Sequence, residues 1–223
     1  MLSYLPQAIS TYGGDVDSVL RMIYWIVGVW FVAAEMLLLF FVLRYRRREG
    51  IRAGWAPATT LNAMAWVLVP VTAIMICDLA IEAASARVWE RVKEDIPAGD
   101  VQVRITGSQF AWRFTYAGPD GRFESDKAVN VMNDLYVPAG KVVHFQLEAV
   151  DVIHSLWIPN LRLKQDAVPG RSIPGWFEAT QEGVYPIGCA QLCGMGHGVM
   201  KGKLHVLSPA AYASWLTAQT KKS

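Results

Sequence analysis

Cysteine is scarce in this sequence: three residues in a chain of 223. That is too few for the disulfide framework on which small secreted domains depend. Histidine is nearly as rare, at four. No Cys-x-x-Cys-His stretch occurs, so the chain carries no covalently attached c-type haem of its own. Neither sign of charge dominates. Lys and Arg number 21 against 19 Asp and Glu, and a net charge of +2 does not favour nucleic acid. Internal repeats and low-complexity tracts are missing too. What the chain has in excess is apolar side chain, 53% of its residues, concentrated ahead of residue 86.

Two stretches there are long enough to span a bilayer. "MIYWIVGVWFVAAEMLLLFFVL" (Met22–Leu43) and "LNAMAWVLVPVTAIMICDLAI" (Leu61–Ile81) each supply about 20 mostly apolar residues, enough for a helix to cross a hydrocarbon core of roughly 30 Å. Pro70 in the second is compatible with a transmembrane helix. A cleaved signal peptide fits poorly, because the first run is too long and its basic residues follow it. Those residues, Arg44, Arg46, Arg47, Arg48 and Arg52, crowd the short connection between the runs, and basic loops stay in the cytoplasm. The expected arrangement is a two-pass α-helical hairpin in a bacterial-type inner membrane. Residues 1–95 form an N-terminal segment and the hairpin, and both termini lie on the outer, periplasmic face. Cys77 reads as packing within the second helix. Asp78 reads as interfacial, and Glu35 as turned toward a neighbouring membrane subunit.

From about residue 100 the hydrophobic period changes to two. "VQVRITGSQFAWRFTY" (Val101–Tyr116), "KVVHFQLEAVDVIHSLWIP" (Lys141–Pro159) and "GKLHVL" (Gly202–Leu207) read as strands. "GPDG" (Gly118–Gly121), "VPAG" (Val137–Gly140) and "VPGR" (Val168–Arg171) read as turns. Ile96–Asp100 is the expected linker, and residues 96–223 form an outward β-sandwich or barrel. Ser208 and Pro209 announce a short terminal helix, the first as N-cap and the second in the opening turn.

"GCAQLCGMGHGVM" (Gly188–Met200) holds two of the three cysteines, a histidine and, at its end, Met200. Its four glycines argue for a loop rather than a helix. Thiolate, imidazole and thioether together suit copper that cycles between oxidation states. Two thiolates can bridge two copper ions, each of which then needs an imidazole. His197 is local. His154, ending a predicted strand, is the expected second, while His144 and His205 lie mid-strand and read as structural. A Cys189–Cys193 disulfide would leave His154, His197 and Met200 without a common purpose. Zinc accepts two Cys and two His but does not call for Met200.

"DVIHSLWIPNLRLKQDAVPGR" (Asp151–Arg171) and "CAQLCGMGHGVM" (Cys189–Met200), with the hairpin and "GSQFAWRF" (Gly107–Phe114), resemble subunit II of cytochrome c oxidase and its relatives over nearly the whole chain. The resemblance implies an all-β, cupredoxin-like Greek-key sandwich carrying the dinuclear copper centre CuA. Cys189 and Cys193 would bridge both coppers. His154 and Met200 would complete one, and His197 with the backbone carbonyl of Gln191 the other. The implied function is electron transfer in a membrane haem–copper terminal oxidase. Electrons come from a small periplasmic donor such as cytochrome c and pass to haem in a catalytic partner subunit that reduces oxygen to water. The chain alone is not a complete enzyme. A nitric oxide reductase subunit bearing CuA is the nearest alternative, and a copper-storage or assembly module a more distant one.

Three positions depart from the family pattern. Gln191 stands where Glu commonly helps to bind an interface magnesium ion, and a neutral amide is a poorer ligand for it than a carboxylate. "TTLNAMAWVLVP" (Thr59–Pro70) has Asn62 and Ala63 and no acid where many members open a proton path. Phe110 replaces the Trp thought to receive electrons first, although Trp112 is kept. Residues 95–223 hold 11 acidic and 12 basic side chains, so net charge does not call for a strongly basic donor. Asp120, Glu124, Asp126 and Asp134 could form a local acidic face, interrupted by Arg122 and Lys127.

Overall fold

The computed structural model describes residues 5–52, 54 and 59–221. The chain divides into two compact units. One is the helical segment Asp15–Trp89, and the other joins the residues before it to everything from Glu90 onward.

The helical unit carries α1 (Gly13–Arg44) and α2 (Leu61–Trp89), both longer than the apolar runs within them. Asp15 in the first turn of α1 and Arg44 in its last complement the helix dipole, which extends the helix past its apolar stretch at the start. Thr60 opens α2, its hydroxyl accepting from the Ala63 N–H at 3.3 Å. Phe31, Leu38, Trp66 and Leu79 are exposed, and none of the most apolar stretch of either helix is buried within the chain. Such surfaces suit lipid or another apolar protein.

The β unit is a sandwich of ten strands: β1 (Val101–Ser108), β2 (Ala111–Tyr116), β3 (Val129–Met132), β4 (Asp134–Pro138), β5 (Val142–Ala149), β6 (His154–Ile158), β7 (Leu163–Ala167), β8 (Ile173–Glu178), β9 (Gly183–Cys189) and β10 (Lys201–Leu207). They form two five-stranded sheets, β3-β2-β1-β5-β8 and β4-β10-β9-β6-β7. β1 pairs in parallel with β5, and β4 with β10; the other strand-to-strand ladders among the described residues are antiparallel. Alternation along β1 and β5 buries Val103, Ile105, Val143, Phe145 and Leu147 against Leu156, Ile158, Leu204 and Val206 of the other sheet. The helix α3 (Pro209–Thr220) follows, with the Ser208 hydroxyl accepting from Ala211 N–H.

Two runs read as single strands are each divided. Val101–Tyr116 folds back at Gln109–Phe110, so that Ser108 lies opposite Ala111. Lys141–Pro159 leaves one sheet as β5 and enters the other as β6, so His154 begins a strand instead of ending one. The crossing frees backbone groups at Val150–Ile153, and the Asp151 carboxylate accepts one of them, the Val152 N–H, at 2.7 Å.

A second crossing occurs at one residue. Asn133, in the left-handed conformation (φ 62°), separates β3 from β4. Its N–H donates to the Trp112 carbonyl, its side-chain oxygen accepts from Trp112 N–H, and its carbonyl accepts from Lys203 N–H. Asn tolerates this conformation better than most residues do.

The residues ahead of α1 join the sandwich as well. Ile9 N–H donates to Asn160 O at 2.8 Å, Thr180 N–H to Ile9 O at 2.7 Å, and Ser10 Oγ to Leu161 O at 2.8 Å. Ile9 and Tyr12 are buried, Tyr12 edge-on to Trp176. After α2, a π-helical turn (Glu90–Glu94) offers the Val92 carbonyl to the same Trp176 indole at 3.0 Å. The segments before and after the hairpin thus grip one edge of the sandwich.

The Asn133 crossing requires glycine at 202, where a side chain would collide with the Asn133 carbonyl. Gly202→Ala is expected to cost about 1–3 kcal/mol, the usual range for overpacking. Denaturant unfolding checks this, and an unchanged midpoint would contradict it.

Candidate metal centre

The two segments singled out in the sequence converge at one end of the sandwich. His154 opens β6 with its side chain fully buried. Its ring occupies space left by Gly107, where a Cβ would stand 3.1 Å from both His154 and Trp112. Trp112 lies edge-on behind it, ring centres 6.0 Å apart. The His154 Nε2–H donates to Asp151 Oδ1 at 2.8 Å. That bond fixes the tautomer and turns the Nδ1 lone pair toward Cys189 Sγ, 4.0 Å away. Asp151 Oδ2 also accepts from the Gln109 N–H at 2.7 Å. Partial burial works against its ionisation, but the hydrogen bonds from Gln109, His154 and Val152 outweigh it and hold the carboxyl at about 2.

Cys189 ends β9 and is held on two sides. Its N–H donates to Met200 O at 3.2 Å, and its strand lies beside β6 with Leu156 opposite. The chain then leaves the sheet. Ala190 N–H is caught by Ser155 O at 2.9 Å, and the exposed Gln191 turns its carbonyl to within 3.2 Å of Cys189 Sγ. Cys193 is buried, its sulfur 3.9 Å from that of Cys189. Gly194 has φ +134°, a backbone region that disfavours other residues, and lets the loop reverse. A short 3-10 turn (His197–Val199) then places His197 Nδ1 3.7 Å from Cys193 Sγ. The buried Met200 puts its sulfur 3.9 Å from Cys193 Sγ before β10 begins.

All six residues marked in the sequence therefore share one cluster. His154, Cys189 and Cys193 offer donor atoms within 4.8 Å of one another. Two donors bound to one metal at about 2.0–2.3 Å each stand roughly 3.5 Å apart. The observed spacings of 3.7 to 4.0 Å among the sulfur and nitrogen donors fit that requirement. Both thiols are free. Burial first, and then the neighbouring Cys189, push the Cys193 thiol up to about 11. Two thiolates side by side here need a cation between them.

His144 and His205 lie elsewhere. The first has Nε2 2.8 Å from Pro97 O, and the second pairs with Asp134 at 2.7 Å and stacks on Tyr136. Phe110 is half-buried against the loop, close to Gly194 and Gly196, and Trp112 is buried behind His154. Two contributors went unmarked in the sequence. Asp151 sits three residues before His154 in the same motif, a spacing that could have flagged it as a partner. Gln109 carries no such signal.

Asp151→Ala removes the acceptor for His154 Nε2–H and for the N–H groups of Gln109 and Val152. The expected loss is about 1–3 kcal/mol, the cost of leaving such groups unsatisfied. The sign follows from the lowered pKa. The stabilisation is complete above the unfolded value of about 3.9 and disappears as pH falls through about 2. Denaturant unfolding of the metal-free protein should show native and variant separated at pH 7 and converging in strong acid; equal stabilities at pH 7 would contradict this role.

Residues 101–206 match the family model for the periplasmic domain of cytochrome c oxidase subunit II. The chain is 29% identical to an alternative cytochrome c oxidase subunit 2 of Bradyrhizobium diazoefficiens, across 95% of this chain and 82% of that one. It is 31% identical to cytochrome c oxidase subunit 2 of Cereibacter sphaeroides, across 83% of this chain and 69% of that one. Other curated relatives are longer, the chain spanning 33%, 56% and 35% of three of them. The crystal structure of the periplasmic domain of subunit II (CoxB) from Bradyrhizobium japonicum superposes with a TM-score of 0.51 at 30% identity, covering 57% of this chain and 98% of that one. The chain belongs to the cytochrome c oxidase subunit II family.

Proposed function

We propose that this chain is the electron-accepting subunit of a membrane haem–copper oxidase. In this reading it takes electrons from a small periplasmic donor and passes them to haem in a partner subunit. The observation that carries the proposal is the pair of unjoined thiols flanked by two imidazoles and a thioether.

Cys189 and Cys193 would bridge two copper ions, His154 and Met200 would complete one, and His197 with the Gln191 carbonyl the other. When bound, such a centre supplies a one-electron carrier whose charge is shared by two metals. The chain's own residues fix the geometry. His154 is locked by Asp151, Cys189 by its strand, and Met200 by burial. The surroundings exclude water from His154, Cys193 and Met200. A site already held in place needs little rearrangement when its charge changes. No acid at position 191 supports an interface magnesium ion.

Electrons would enter on the side of Phe110, the half-buried aromatic against the loop, with Trp112 behind His154. The rim is largely uncharged: Leu192, Met195 and Val199 are exposed on the loop. Two members of the expected acidic face are engaged elsewhere, Glu124 with Arg104 and Asp134 with His205. A donor that docks through apolar contact suits this surface better than a strongly basic one.

The topology fits the same reading. The segment ahead of α1 is part of the β unit. In this reading both would stand on the outer side of the membrane, and the basic loop between the helices would stay on the cytoplasmic side.

The copper-loaded protein is expected to give an electron paramagnetic resonance spectrum with the hyperfine pattern of one electron shared by two equivalent coppers. A one-copper pattern, or a silent zinc-loaded protein, would overturn the proposal. Met200→Leu is expected to shift the reduction potential in voltammetry while keeping the two-copper pattern, because a thioether is a weak ligand. Loss of the pattern would assign Met200 a larger part.

A further inference from the structure

Gln109 reaches both halves of the site from a third part of the chain. Gln109 occupies the turn between β1 and β2. Its backbone N–H donates to Asp151 Oδ2 at 2.7 Å, and Asp151 in turn holds His154. Its side-chain Nε2 donates to the Cys193 carbonyl at 2.6 Å, a span of 84 residues along the chain. The same residue thus grips the His154 segment with its main chain and the cysteine loop with its side chain.

The Cys193 carbonyl is where such a grip matters. The next residue is Gly194, at φ +134°, with no side chain to fix the peptide between them. The orientation of that peptide sets the direction in which the loop leaves Cys193, and so where His197 arrives. The turn that carries His197 starts from the Gly194 carbonyl, which accepts from the His197 N–H at 3.1 Å. Phe110 adds an apolar contact beside the polar one. A side chain at Gly196 would collide with its ring, and one at Gly194 would stand 2.8 Å from Gln109 Nε2. Both glycines therefore make room for the β1–β2 turn.

We propose that Gln109 is a positioning residue of the metal centre: its amide orients the Cys193–Gly194 peptide and thereby fixes His197 relative to the two thiols. The proposal rests on the copper reading for its functional consequence, but the grip on the loop exists without metal.

The test uses the full chain in detergent and the substitution Gln109→Leu, which removes the amide donor and leaves the backbone N–H on Asp151. Gln109→Met, of similar length and also without a donor, serves if the Leu variant does not fold. Three measurements are made. In the metal-free protein, hydrogen exchange at the Met195 and His197 amides is expected to quicken while β1 and β5 stay protected. In the copper-loaded protein, loss of copper to a chelator is expected to speed up by about tenfold, as for other residues that orient ligands. The reduction potential is expected to move as well, which a purely structural role would leave in place. Unchanged loop exchange together with unchanged copper loss and potential would overturn the proposal. If the native chain takes up no copper pair, the copper reading fails, and the exchange measurement alone decides whether Gln109 holds the loop.

Discussion

Two thiols held close but not joined are what the β unit is arranged around. A disulfide needs its sulfurs about 2.05 Å apart, and here they stand 3.9 Å apart. Cys189 ends a strand and Cys193 is buried in the loop that follows it. The remaining donors take their places from the same framework: His154 from the start of β6, His197 and Met200 from the short turn that leads into β10. Strands from one sheet supply every one of these anchors. The other sheet contributes the β1–β2 turn, with Gln109 and Phe110, and the buried Trp112 behind His154.

The electrostatics press the site toward a cation. A thiol pushed up to about 11 by burial and by its neighbour does not ionise unaided at neutral pH. A carboxylate held at about 2 keeps its charge on the far side of His154, which leaves the inward nitrogen free to donate to a metal.

Much of this was legible in the residues, and the reasons are specific. The two membrane helices announce themselves by the length of their apolar runs, and the strands β1, β5 and β10 by alternation. The loop from Cys189 to Met200 is legible because cysteine, histidine and methionine crowd into it. Strands β8 and β9 are not, since Pro174 with Gly175 and Pro186 with Gly188 resemble turns. Each proline is tolerated for a reason visible only in three dimensions. β8 is an edge strand, and β6 reaches only Gly188 and Cys189 of β9, so Pro186 lies beyond it. The two crossings between sheets, at Val150–Ile153 and at Asn133, are equally hidden, because which sheet a strand joins depends on its pairing partners and not on its own residues. The seating of Ile9 and Tyr12 in the sandwich has no periodic signature at all. Gln109 was invisible as a bridge because its two partners lie 42 and 84 residues away.

Anomalous diffraction at the copper absorption edge, from crystals of the copper-loaded protein, tests the central claim most directly. Two resolved peaks between the sulfurs of Cys189 and Cys193, with His154 beside one and His197 beside the other, are the expected result. A single peak, or continuous density joining the two sulfurs with no metal nearby, would contradict it.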